Sequence, residues 1–312
     1  LNKLLAQDDI TDVEYTNIES TIKAFNAVPS DLHHELNRSN DFTDYQSSGT
    51  YFFVSPVDET LKFDLDGSSI GKEATKIEKM LMGFHNTMTP DHPKPILDIV
   101  FRDYRVNDGT YVDVIDKEQF FTIDDFEVAD HHFKGHFDEF GQFKGTIKVY
   151  QEKTYEHIVN WTGNNFNKTS CGPFEINLAY VQGRKNQTIL NNEDFARISA
   201  KADKFGGLYV YKDNIRILPY GNSDVDYLDV EKRRSKHAGS AFFSYRRMFG
   251  VINLKQEENF KLKEKAGREG FIEDIAYRQF RNILINFLTQ LATDFFREDT
   301  NASPKAEVWA NK

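Results

Sequence analysis

A chain of 312 residues, 39% hydrophobic and 14% aromatic, carries enough apolar mass to bury a core, and its length favours two compact units over one. Its formal net charge of -10 excludes a surface that wraps nucleic acid on all sides, because each neutralised phosphate takes a Lys or Arg; only a local basic patch could do so. The single cysteine, Cys171, excludes an internal disulfide framework and a thiolate metal cage.

With no apolar run of about 18 residues to span a bilayer, the expected setting is a reducing cytoplasm without membrane contact. Asn160-Trp161-Thr162 and Asn167-Lys168-Thr169 read as chance triplets in an Asn-rich chain, not as glycosylation sites. The chain opens on Leu1-Asn2-Lys3 instead of Met, as a fragment or a processed chain would.

Residues 1–50 carry a loose helical pattern around Ile18, Ile22 and Phe25, then a polar stretch from Asp31 to Gly49, and read as a helical lead-in and linker. Tyr51 to Val54 and Leu61 to Leu65 read as short strands, and Ser68 or Ser69 as the cap of a helix through Ile77, Met80, Leu81 and Phe84. Runs at Ile96 to Val106 and Tyr111 to Ile115 flank Asn107-Asp108-Gly109, a hairpin turn whose residues tolerate positive φ. From His131 to Trp161 three alternating runs predict a meander, so 51–170 reads as an α+β region.

After Cys171-Gly172-Pro173, Phe174 to Val181 reads as a strand. Asn192 then caps a helix bearing Phe195, Ile198, Ala202 and Phe205, which Gly206-Gly207 stops. Leu208 to Lys212 and Ile215 to Leu218 pair around Asp213-Asn214, and Phe249 to Leu254 supplies a further strand. The last helix places Ile272, Ile275, Ala276, Phe280, Ile283, Leu284, Phe287, Leu288, Leu291 and Phe295 at spacings of three and four. That stripe serves either a core helix lying on a sheet or a partner interface. The class is α+β, mixed β-sheet units with packed helices, ending in a tail at 300–312.

The stretch from Gly206 to Gly270 contains Gly-Gly-Leu-Tyr-Val-Tyr-Lys-Asp-Asn-Ile-Arg-Ile-Leu-Pro-Tyr-Gly (206–221), Leu-Asp-Val-Glu-Lys-Arg-Arg-Ser (228–235), Phe-Gly-Val-Ile-Asn-Leu (249–254) and Glu-Lys-Ala-Gly-Arg-Glu-Gly-Phe (264–271). This order resembles the transducer (middle) domain of GHKL ATPases, the superfamily of MutL, MORC and the ninety-kilodalton heat-shock chaperone. The resemblance is carried chiefly by residues 171–299, is only general over 90–175, and finds no match in the first ninety residues. It implies a transducer-type domain there, with a left-handed βαβ unit like that of a ribosomal protein. It also implies a loop arginine that reaches the ATP γ-phosphate in a second lobe.

Carried over on that resemblance, Arg268, followed by Glu269, takes the phosphate-sensing position, with Lys265 beside it. A planar, permanently charged guanidinium suits the charge that develops in phosphoryl transfer. The structural alternative is an ion pair of Arg268 with Glu269 or Glu273. In the MutL and gyrase branches a lysine after an early transducer strand does this work, which makes Lys185, in Gln182-Gly183-Arg184-Lys185-Asn186, a second candidate against an ordinary solvated lysine. The ATP-binding lobe's own signatures are missing. Glu19 and Asn26 lie too far apart for its Glu/Asn helix, and no Asp-x-Gly-x-Gly loop occurs. The resemblance therefore implies ATP and Mg2+ in the complete assembly and no cofactor for this chain alone. Its partners would be an ATP-binding lobe of the same protein or subunit and a second copy in a homodimer. MORC-type relatives further imply defence against foreign DNA.

Three readings stand apart from the resemblance. Lys232, Arg233, Arg234, Lys236 and His237, with Arg246 and Arg247 nearby, form a basic cluster that could grip DNA, the nucleotide of an ATPase lobe or acidic residues of a partner subunit, or simply lie in solvent. Asp130-His131-His132 with His136 and Asp138 offers metal-ligand chemistry for a hydrolase, but strand alternation sends His131 and His132 to opposite faces, so no metal is expected. Asp138 to Gly145 and Gly67 to Lys72 echo glycine-rich nucleotide loops without their spacing.

Overall fold

The computed structural model of the chain describes residues 2–7, 9–24, 52, 54, 57–67, 74–81, 99–105, 111–114, 120–151, 153–236, 242–267 and 269–296. They fall into two units, one of 1–66 with 101–114 and one of 67–100 with 115–312. In the first, α1 (Asn2–Ala6) is tied to α2 (Asp12–Ala24) by the Tyr15 hydroxyl, which donates to Asn2 Oδ1 at 2.6 Å. Helix α2 starts on a capping box, the Thr11 hydroxyl accepting from Glu14 N–H while the Glu14 carboxylate accepts from Thr11 N–H.

The run Leu61 to Leu65 is not a strand but part of α3 (Glu59–Asp66). An alternating apolar run this short fits either element; Asp58, which accepts from Thr60 N–H at 2.8 Å, settles it by capping the helix. Strands β1 (Arg102–Asp103) and β2 (Val112–Asp113) pair antiparallel, as the hairpin reading required, although far shorter than the apolar runs. The turn at 107–109 and the rest of the strand read at 51–54 lie outside the described residues.

In the second unit α4 (Lys76–Leu81) is capped by Thr75, whose hydroxyl accepts from Glu78 N–H while its own N–H donates to the Glu78 carboxylate. The sequence reading set this cap at Ser68 or Ser69, which, like Phe84, lie outside the described residues. Helix α5 (Ile123–Val128) was not foreseen; Thr122 and Asp125 form its capping box.

A single seven-stranded sheet follows, in the order β5-β4-β3-β6-β9-β7-β8. The expected meander is β3 (His131–Phe137), β4 (Phe143–Val149) and β5 (Lys153–Val159), all antiparallel. Strand β6 (Phe174–Tyr180) pairs along the whole of β3, so the sheet runs unbroken past residue 170. Helix α6 (Asn192–Phe205), capped by Asn191 one residue earlier than expected, leads to β7 (Gly207–Lys212) and β8 (Ile215–Arg216). The chain then returns through α7 (Val230–Lys236) to β9 (Met248–Leu254), antiparallel to β6 and parallel to β7. The chain is α+β.

The last helix, α8 (Ile275–Phe295), runs 21 residues across one face of the sheet. Phe280 meets Phe174 of β6, Phe287 meets Phe137 of β3 and Phe143 of β4, and Phe295 meets Tyr155 and His157 of β5. The facing glycines Gly135 and Gly145 make room for the Phe143 ring, since a Cβ on either would stand under 3 Å from it. The apolar stripe is thus a core face. Among the described residues no helix is long and apolar enough to cross a membrane.

On the opposite face Phe121 stacks on Phe249 of β9, Phe126 meets the same ring edge-on, and Phe120 meets Phe205 of α6. Asp125, fully buried, joins α5 to α6 through Arg197 and through Lys201 Nζ at 2.9 Å. Burial pushes its carboxyl upward, but the Lys201 ammonium, the Thr122 N–H and Arg197 outweigh that and hold it below its usual 3.8. A depressed carboxyl contributes stability above its unfolded pKa and loses it as pH falls through the folded one. Asp125→Asn should therefore destabilise the protein by about 3 kcal/mol at neutral pH. Equilibrium urea unfolding should show that gap closing as pH drops below 3.8; a gap that stays constant into acid would contradict the buried pair.

Candidate functional site

Strand direction decides which candidate residues can share a site. Because β6 and β9 are antiparallel, with Tyr180 opposite Met248 and Glu175 opposite Asn253, the segment leaving β6 and the segment leaving β9 emerge at opposite ends of the sheet. Lys185 lies on the first and Lys265 on the second. Seven-residue strands separate these ends by roughly 20 Å at about 3.3 Å per residue. The two sensor candidates cannot serve one phosphate.

The segment after β9 is built to hold a projecting hairpin. Asn259, fully buried, donates from Nδ2 to the carbonyls of Cys171 and Pro173 at 2.7 and 2.8 Å, and the buried Lys212 ammonium donates to Leu262 O at 3.0 Å. The chain then doubles back: Ile272 N–H donates to Lys263 O, Lys265 N–H donates to Gly270 O at 2.9 Å, and Glu264 bridges Phe271. Gly270 adopts φ +90°, a turn that a side chain would strain and where a Cβ would stand 3.0 Å from the Tyr220 hydroxyl.

The base of the hairpin is an aromatic lock. Phe271 stacks on Tyr220 at 5.4 Å, and its N–H donates to the Tyr220 hydroxyl at 2.9 Å. Burial raises the pKa of that phenol, so the hydroxyl stays protonated at neutral pH. Beyond the lock Asp274 caps α8, accepting from Tyr277 N–H at 3.1 Å. The loop does precede a helix start, as the sequence indicated, but the Asp274 carboxylate already sits there, taking the Tyr277 N–H and placing a negative charge at the helix start, so anion affinity at the hairpin must come from side chains. Lys265 is exposed, with no hydrogen-bond or ion-pair partner for its ammonium among the described residues. Arg268 lies outside the described residues; its neighbours Gly267 and Glu269 are exposed.

At the opposite end, Lys185 sits in a 3-10 turn (Lys185–Gln187), donates from Nζ to Leu190 O and lies 5.4 Å from the Phe195 ring centroid. It braces its own loop against α6. Lys232, Arg233 and Arg234 lie on α7, and Arg246 and Arg247 on the 3-10 turn before β9 (Tyr245–Arg247). Arg234 approaches Glu231 at 3.7 Å, and Arg247 approaches Asp203 at 3.8 Å. His237 lies outside the described residues.

His131 and His132 do point to opposite faces. His131 is buried among Tyr150, Tyr180, Phe242 and Phe296, its Nδ1 accepting from Tyr150 N–H at 3.3 Å. His132 Nε2 lies 2.7 Å from Asn177 Oδ1, and burial lowers its pKa. Asp130 accepts from Gln182 N–H, Ile189 N–H and the Thr188 hydroxyl, and Asp138 accepts from Phe140 and Gln142 N–H within its turn. Among the described residues no group of three or more His, Cys, Asp or Glu side chains could hold a metal ion.

Sequence reasoning passed over Tyr220, Phe271 and Asn259, which fix the hairpin. Tyr220 and Phe271 carried a signal only as members of the family-like stretches 206–221 and 264–271, and Asn259 carried none. Comparison of the chain with protein-family models, curated proteins and solved structures gave no match.

If the aromatic lock holds the hairpin, Tyr220→Phe, which keeps the ring but removes the hydroxyl's bonds to Phe271 N–H and to Tyr277, should cost about 2 kcal/mol. It should also speed amide exchange of residues 264–272 while leaving β3 and β4 protected. Unchanged exchange in that peptide would show that the lock is not what orders it.

Proposed function

We propose that this chain is the transducer region of a GHKL-type, ATP-dependent machine, and that the hairpin carrying Lys265 and Arg268 delivers its phosphate contact. The observation that carries the reading is the hairpin itself: an exposed tip bearing an ammonium without a partner among the described residues, on a base locked by Tyr220 and Phe271. Such a tip can reach a separate lobe, while its base feeds directly into α8. Movement at the tip would be passed to a helix that contacts β6, β3, β4 and β5 in turn.

The nucleotide and Mg2+ would be held by the partner lobe, where the metal neutralises charge on the phosphates. This chain's residues supply the rest. The guanidinium of Arg268 would donate to oxygens gaining charge as the γ-phosphoryl group leaves, and Lys265 would hold the phosphate as a point charge. Lys185, tied to Leu190 O at the far end of the sheet, fits this role less well. Binding the tip only in the ATP state would bias closure of the two lobes, and a homodimer is the assembly in which such closure is read out. Defence against foreign DNA is the setting that the MORC-like resemblance suggests.

The test is ATP turnover by the native assembly with its ATP-binding lobe. Arg268→Ala should lower kcat by about 10³-fold, with nucleotide still bound, and Arg268→Lys should recover part of it. Turnover left intact by Arg268→Ala, or a native assembly that does not hydrolyse ATP at all, would refute the reading.

A further inference from the structure

At the end of the sheet opposite the hairpin, three backbone segments deliver cations to one region. The 3-10 turn before β9 brings Arg246 and Arg247, α7 brings Lys232, Arg233, Arg234 and Lys236, and the loop after β6 brings Arg184 and Lys185. Their neighbourhood is fixed by hydrogen bonds. The Glu231 carboxylate in the first turn of α7 accepts from the Ser244 hydroxyl at 2.6 Å and from Tyr245 N–H at 2.8 Å, next to the two arginines. Val181 N–H donates to Arg247 O at 3.1 Å, and a Cβ on Gly183 would lie 3.7 Å from Arg247 Nε.

Internal pairing uses only part of this charge. Arg234 has Glu231, Arg247 has Asp203 and Lys185 has a carbonyl. Arg184, Lys232, Arg233, Lys236 and Arg246 are exposed, and their side chains have no hydrogen-bond or ion-pair partner among the described residues. In a chain of net charge -10 such segregation runs against the average and creates a local positive field.

We propose that this surface binds a nucleic-acid duplex through its phosphates, without reading sequence. Among the described residues beside this surface Tyr180, Phe243 and Tyr245 are buried, Phe242 is packed against the core and Phe195 lies under the Lys185 ammonium, so none is a freely exposed platform for the unstacked bases of a single strand. Helix α7 presents charge on its outer side and buries its one apolar residue, Val230, which leaves nothing of that helix to insert into a lipid surface. The cations are spread over three backbone segments, an arrangement that suits contact with several phosphates better than the grip of one small anion. This inference does not depend on the ATPase reading, whose residues lie at the other end of the sheet.

The test is salt-dependent binding of the full chain to a fluorescent duplex of mixed sequence. A Lys232→Gln/Arg233→Gln/Arg246→Gln variant should lose at least about tenfold in affinity at low salt. It should also flatten the slope of log K against log salt by about one for each phosphate left without its cation. A variant that removes equal charge at the opposite end, Lys255→Gln/Lys261→Gln/Lys263→Gln, should bind like the parent, and all three proteins should share one thermal midpoint. No duplex binding at low salt, equal loss in both variants, or capture by anionic phosphatidylserine vesicles in preference to duplex would overturn the proposal.

Discussion

The structure depends on one packing event, the seating of α8 on the aromatic face of the mixed sheet. Phe287 lies between Phe137 and Phe143, from two strands of the meander, while Phe280 reaches Phe174 on the next strand. An antiparallel meander alone has one face to bury and an edge to protect. Here α8 covers the face, and β6 covers the edge of β3. The helix thereby holds the 131–161 strands and those that follow in one core. Its start is set by Asp274, immediately after the hairpin lock, so the longest described helix and the hairpin meet at one point.

That junction gives the hairpin mechanical meaning. A loop on a flexible tether transmits little, whereas this one is fastened by a backbone ladder, a stacked ring pair and a tyrosine hydroxyl before it joins a helix that crosses four strands. The opposite end of the sheet is organised differently. There Asp130 staples the β6–α6 loop, Glu231 fixes the start of α7, and the surrounding cations are left facing outward. One end is a single reaching tip and the other a broad charged surface, which is why two separate ligand chemistries are assigned to them.

Much of this was legible residue by residue. The alternation from His131 to Trp161 and the three-and-four spacing of the last helix report burial directly, and the structure returns a meander and a core helix. Boundaries were less legible: Ile272 and Ile275 fit the apolar stripe but are 45% and 67% exposed, because the Asp274 cap starts the helix only after the stripe has begun. Leu61 to Leu65 misled because alternation over so few residues cannot separate strand from helix without weighing the Asp58 cap. Helices α5 and α7 escaped notice for different reasons. The first opens on a Thr-x-x-Asp box in place of the usual Thr-x-x-Glu, and the second has a single apolar residue, Val230. The separation of Lys185 from Lys265 could not be read at all, since it follows from strand order and direction, which are long-range pairings that no local pattern encodes.

The central proposal is that the ATP γ-phosphate is contacted at the hairpin and not by the Lys185 loop at the basic end. It is tested most directly by photolabelling the native assembly with an ATP analogue carrying an azido group on its γ-phosphate, then mapping the modified peptide by mass spectrometry. The account predicts label on residues 264–271. Label confined to residues 183–187, or absent from this chain, would contradict it.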